Sequence, residues 1–234
     1  MLAILKREFK AYFTSPLGYV FLAIFYAFSG VFFWVFTLDM GSTDMSSVFL
    51  MMFLVLMVFV PLLTMRLLAE DKKQKTDQLT LTAPVSLLGI VMGKFLAAYL
   101  IFAIGVAVMP LYGFVMSTFA DVSWLPILGN TVGLLLLGGI FVAGGLFVSS
   151  LTENQMIAAI GSFFINLMVL LLDTLVSQIP SGIFRTALES ISVYSRYAEI
   201  TSGIFSLSSV IFFLSVIFIF LFLTVRVLEK KRWA

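Results

Sequence analysis

The chain has no cysteine and no histidine, and only 11% of its 234 residues are charged. Without cysteine there is no disulfide framework and no thiolate metal site. Without histidine the commonest general base, most zinc and haem ligation and the usual activation of a nucleophile are lost. Catalysis built on those groups is excluded. A phosphate-cradling G-x-x-x-x-G-K-[ST] loop is also missing, so the chain is not expected to hydrolyse ATP in that manner. What fills the composition instead is hydrocarbon: 62% of the residues are hydrophobic and the mean hydropathy is +1.15. Lipid accommodates that much apolar surface and a soluble core does not. A net charge of +2 gives no sign of a nucleic-acid partner.

A bilayer core of ~30 Å requires about 20 apolar residues per helix. Six stretches qualify, roughly Leu17–Leu38, Val48–Met65, Phe95–Met116, Pro126–Val148, Met156–Leu172 and Val210–Val227. They lack the alternation of a β-barrel, and isolated segments in lipid must satisfy their own backbone, so helices are expected. The fold class is all-α: a single polytopic domain over 1–234 with six transmembrane helices. Lys6, Arg7, Lys10, Arg66, Lys72, Lys73, Lys75, Lys94, Arg226, Lys230, Lys231 and Arg232 fall on one side of such an arrangement, and only Arg185 and Arg196 on the other. The positive-inside rule then places both termini in the cytoplasm.

Three flanking segments complete the outline. Residues 1–15 put Leu2, Leu5, Phe9, Tyr12 and Phe13 on one helical face and Lys6, Arg7, Glu8 and Lys10 on the other, the pattern of a helix lying in the membrane interface. Ser15-Pro16 then turns the chain into the first span. Residues 173–209 form an extracytoplasmic loop with semi-apolar pieces suited to short helices at the outer interface. Ionisable residues are nearly absent from the spans, and Asn166 reads as an interhelical hydrogen bond. Pro61 and Pro110 are expected to kink the second and third spans. The glycines of the fourth span, with Gly129 and Gly133 at small-xxx-small spacing, are expected to let helices approach closely.

One dense polar island interrupts this material, between the second and third spans at 66–86. Arg66 to Lys75 can prolong span two as a helix. Thr76 is a candidate N-cap for a short helix Asp77–Thr82, Pro84 would stop it, and Ser86 is placed to cap span three. Its residues alone are equally compatible with a short rod that docks a partner through Leu79 and Leu81, and with a solvated basic loop.

The order of residues here resembles the first cytoplasmic loop of ABC-2-type permeases, the membrane subunits of many ABC exporters. The correspondence falls on Glu70, Thr76, Leu79, Leu81, Thr82, Pro84, Ser86, Gly93 and Lys94, with Lys75 and Gln78 where the family pattern has glycine and an acid. The segment Gly145–Gln155 is similar to the family's turn between spans four and five. The opening Lys6–Pro16 and the closing Leu221–Trp233 are similar to the gliding-motility-type members.

The resemblance implies a permease half, not an enzyme, that works with a second half and with cytoplasmic ATPase subunits which bind the ATP and magnesium. It implies no cofactor or metal on this chain, and allows an accessory membrane protein with an extracytoplasmic domain. It implies a prokaryotic plasma membrane as the location. The residues it assigns to ATPase coupling are Glu70, Thr76, Asp77, Gln78, Leu79, Leu81, Thr82 and Pro84, with Glu153 and Asn154 on the second cytoplasmic turn. An ATP-independent transporter or channel, and a scaffold of a motility or secretion complex, are the competing readings.

Overall fold

In lipid, helix association depends on close van der Waals packing, and closeness is set by small side chains. In the computed structural model the small residues concentrate on one central helix. The structure describes residues 1–76, 86–177, 192–203 and 206–232. Its elements are α1 (Leu2–Thr14), α2 (Pro16–Phe33) with a π-helical turn (Trp34–Leu38), α3 (Ser46–Thr64), α4 (Ala69–Lys73), α5 (Leu87–Val106), α6 (Val108–Ser117), α7 (Trp124–Leu151), α8 (Gln155–Ser177), α9 (Val193–Thr201) and α10 (Leu207–Arg232). Among the described residues there is no strand.

Six helical stretches are long and apolar enough to cross a membrane: Pro16–Leu38, Ser46–Lys73, Leu87–Ser117, Trp124–Leu151, Gln155–Val176 and Leu207–Lys231. The chain is an all-α polytopic membrane protein.

Helix α7 is the post around which the others stand. Its apolar stretch is 78% buried, against 17% for α8 and for α10, and it packs on α3, α5, α8, α9 and α10. Glycine makes this possible: a Cβ on Gly138 would enter the Phe102 ring of α5, and one on Gly145 would enter the Thr64 side chain of α3.

The two prolines act as their chemistry requires, since each lacks the N–H that would bond four residues back. Near Pro110 the helix breaks at Ala107, separating α5 from α6. Pro61 stays inside α3. The Met57 carbonyl, four residues before it, accepts Asn166 Nδ2 at 3.3 Å instead.

Several expectations need correction. The third span begins at Leu87, well before Phe95, so Lys94 lies two turns inside a helix and is 1% exposed. Span two does not run unbroken to Lys75; it ends at Thr64, turns over 65–68 and resumes as α4. Helix α8 passes Asp173 and continues to Ser177. Helix α1 turns Glu8 inward with Tyr12, both buried, while Leu2 is exposed. The reason is a buried partner for Glu8. The helix expected at Asp77–Thr82 and residues 178–191 of the loop lie outside the described residues.

At the end of the bundle opposite the termini, the short helix α9 packs against α3 and α7. Val193, Tyr197 and Ile200 are buried, the Tyr197 hydroxyl donates to the Phe49 carbonyl of α3 at 2.7 Å, and Ile200 packs on Gly133 of α7. Burial raises the Tyr197 hydroxyl well above its ordinary value, so it remains a donor.

Candidate functional site

A helix that stops inside a bundle leaves carbonyl and N–H groups without intrahelical partners. The interruption of span two at 65–68 does this at the end of the bundle that carries the termini, the basal end. Side chains from α1, α5 and α7 meet the exposed groups. The Tyr12 hydroxyl of α1 donates to the Leu63 carbonyl at 2.7 Å. Ser149 Oγ of α7 donates to the Met65 carbonyl at 3.0 Å and accepts the N–H groups of Leu68 and Ala69, each at 3.0 Å. Lys94 Nζ of α5 donates to the Leu67 carbonyl. Lys72 of α4 donates to the Ser150 carbonyl.

Lys94 is the electrostatic centre of this clamp. Its Nζ lies 3.0 Å from Glu8 Oε1 and 2.8 Å from Asp71 Oδ2, so one buried cation joins α1, α4 and α5. A buried charge is tolerated only when paired and hydrogen-bonded, and these two carboxylates with the Leu67 carbonyl meet that need. Burial pushes the Glu8 carboxyl up, but Lys94 and Arg7 outweigh it and hold Glu8 below its ordinary value. Gly93 provides the room: a Cβ there would press on Ile4 of α1.

A second, more exposed set of contacts starts from Arg66. Its Nε lies 3.3 Å from Glu70 Oε2, its guanidinium covers the Tyr12 ring at 5.2 Å, and it donates to Ser15 Oγ at 2.8 Å. Glu70 also accepts Gln74 Nε2 at 3.2 Å. Glu70 thereby ties α4 to the joint between α1 and α2.

Helix α4 ends in a Schellman motif. The Lys75 N–H bonds the Lys72 carbonyl at 3.0 Å and the Thr76 N–H bonds the Asp71 carbonyl at 2.9 Å, with Lys75 in the left-handed region at φ 57°. This is the position where the ABC-2 pattern has glycine, the residue that adopts such φ without strain.

The sequence-derived coupling residues divide accordingly. Glu70 belongs to the clamp, and Thr76 donates its hydroxyl to the Asp71 carbonyl at 3.2 Å. Asp77, Gln78, Leu79, Leu81, Thr82 and Pro84 lie outside the described residues. Ser86 caps α5, accepting the Gly89 N–H at 3.2 Å. Glu153 is exposed on the short turn between α7 and α8. Asn154 accepts the Met156 N–H at 2.9 Å and so caps α8. That turn follows Ser149 and Ser150 directly, so the structure brings α4 and the 152–154 turn to the same basal end.

Nothing in the sequence marks Glu8, Tyr12, Asp71, Lys94 and Ser149 as one site. A signal existed for Lys94: a helix capped by Ser86 places it two turns inside, where an ionisable residue needs partners. No group of three or more carboxylates among the described residues is arranged to hold a metal ion. The arrangement joins α1, α4, α5 and α7 through ion pairs and hydrogen bonds.

Fold and site together define a six-span helical membrane protein with a clamped polar base. No family model matches the chain, and no curated protein matches it as a relative.

Proposed function

We propose that the chain is one membrane-spanning half of an ABC exporter, seated in a prokaryotic plasma membrane with its termini and the 66–86 loop in the cytoplasm. The observation that supports this reading is the clamp. Helix α4, closed by its turn at 74–76, precedes the 77–85 segment in the chain and is fastened to α1 through Glu8–Lys94–Asp71 and Arg66, and to α7 through Ser149 and Ser150. Force delivered to that segment therefore reaches three helices together. A loop that served only as a solvated connection has no need of an ion cluster around a buried lysine at its root. The concentration of Lys and Arg at this end supports the cytoplasmic assignment.

In this reading a separate ATPase binds and hydrolyses ATP with its magnesium, and this chain does neither. Leu79 and Leu81 supply apolar contact to the ATPase, while Thr76, Asp77, Gln78, Thr82 and Pro84 shape the docking rod. Glu153 is the candidate contact on the second turn. ATP binding favours one of two arrangements of the paired permease halves, and the clamp moves as a unit between them. An accessory membrane protein with an extracytoplasmic domain fits the same assembly.

Affinity capture of the full-length chain from native membranes tests the proposal. The wild type should retrieve an ABC-type ATPase. Leu79→Asp should reach the membrane intact and retrieve none. Capture of no ATPase by the wild type overturns the function; equal capture by the variant overturns the docking assignment.

A further inference from the structure

Two helices that both lean on α7 leave a crevice between them at the basal end. It lies between the first turns of α5 and the last turns of α10 and has a volume of about 310 Å³. Leu88 and Met92 line one wall, Phe218, Leu221 and Phe222 the other, and Arg226 and Glu229 stand at its mouth. This volume is at the lower end of small-molecule sites, ~300 Å³. It suits a single hydrocarbon chain. Leu88 and Phe218 are largely exposed at the rim, so the crevice opens sideways toward the bilayer.

Depth fixes what stands above the chain. Arg226 lies about 29 Å along α10 from Leu207 at ~1.5 Å per residue, and the hydrocarbon core is ~30 Å thick. The guanidinium is therefore at headgroup level, with the apolar walls directly beneath it. Arg226 rests on the Phe222 ring at 4.9 Å and meets Glu229 at 2.7 Å, but its side chain stays 60% exposed. An exposed ion pair of this kind is weak and readily shares its cation with a second anion. Guanidinium recognises phosphate through paired hydrogen bonds. Lys230 and Lys231 follow within two turns, which makes the local balance positive and favours an anionic headgroup.

We propose that this crevice is a binding site for an anionic glycerophospholipid, one acyl chain between α5 and α10 and its phosphate on Arg226. The site seals α10 to α5 at the basal end by bridging a gap that the two helices do not fill themselves. It rests on the membrane-spanning fold alone and stands whether or not an ATPase partner exists.

Native mass spectrometry of the detergent-solubilised full chain, titrated with dioleoylphosphatidylglycerol or dioleoylphosphatidylcholine, tests it. The first phosphatidylglycerol should bind about fivefold more tightly than phosphatidylcholine, the factor one juxtamembrane cation supplies. Arg226→Gln should remove most of that preference, whereas Lys230→Gln, with the same charge change away from the crevice, should keep most of it. Met92→Trp fills the apolar wall and should lower the binding of both lipids with Arg226 intact. Equal losses from Arg226→Gln and Lys230→Gln would mean diffuse attraction only. Unchanged occupancy in Met92→Trp would mean that no chain enters the crevice. Either result overturns the site.

Discussion

Asn166 of α8 donates its side-chain amide to the carbonyl of Met57 on α3, and that carbonyl is free because Pro61 has no N–H to offer it. A proline defect on one helix is thus repaired by a polar side chain on another. Asn166 is 2% exposed, so water does not compete. Asn166→Leu should leave the carbonyl unpaired and lower stability by about 1 kcal/mol, the scale of interhelical hydrogen bonds in membranes. In a Pro61→Ala background, where the helix supplies its own N–H, the same substitution should cost much less. Unfolding of the four proteins in one detergent gives the coupling; additive losses would refute the repair.

Lys94 should be intolerant of neutralisation. Lys94→Met leaves Glu8, which keeps Arg7 at 2.7 Å, and the half-buried Asp71 without the cation between them, and breaking such an ion group should cost up to about 3 kcal/mol. The triple variant Lys94→Met, Glu8→Gln, Asp71→Asn removes the uncompensated charge as well and should recover most of that loss. Thermal unfolding monitored by circular dichroism distinguishes the outcomes. A triple variant no better than Lys94→Met would mean that the cluster matters for its shape rather than its charge.

The depressed Glu8 carboxyl gives this end of the bundle an acid limit. A carboxylate whose folded value lies below its unfolded value, ~4.3 for Glu, stabilises the fold above that unfolded value. The contribution is lost as pH falls through the folded value. The difference in unfolding midpoint between wild type and Glu8→Gln should therefore be constant near neutrality and shrink on acidification below about pH 4. A difference that grows on acidification would reverse the sign and exclude an ionised Glu8 in the folded state.

The spans were legible because a bilayer imposes one demand, length of apolar run, that a sequence states outright. Their ends were less so. By sequence Lys94 belongs with the loop charges, because nothing local to it tells that Glu8, 86 residues earlier, and Asp71 will neutralise it. Glu8 falls on the polar face of α1 for the same reason: helical periodicity sorts residues by polarity, and a buried ion pair inverts that sorting. Ser149 and Ser150 fall just beyond the fourth apolar stretch, which ends at Val148, yet they lie inside α7, where their polar groups serve the broken end of α3. In each case the missing information was a partner distant in sequence. The role of Asn166 was legible because an amide in mid-span has few alternatives to another helix.

Lys75 is where a local rule and the sequence disagree. It holds φ 57° at the C′ position of the Schellman motif that ends α4. A left-handed conformation costs a residue with a Cβ roughly 1–2 kcal/mol, while glycine adds about 0.5–1 kcal/mol of chain entropy to the unfolded state. The first effect is the larger, so Lys75→Gly should stabilise the protein modestly, by under about 1 kcal/mol. Lys75→Val should destabilise it, because a β-branched side chain suffers more in that region. Limited proteolysis across 74–86, read beside thermal unfolding, localises the effect: Gly should slow cleavage relative to Val. If Lys75→Gly lowers the unfolding midpoint and speeds cleavage, then the Lys75 side chain makes a contact worth more than its strain, and the turn is held by that contact rather than by the backbone.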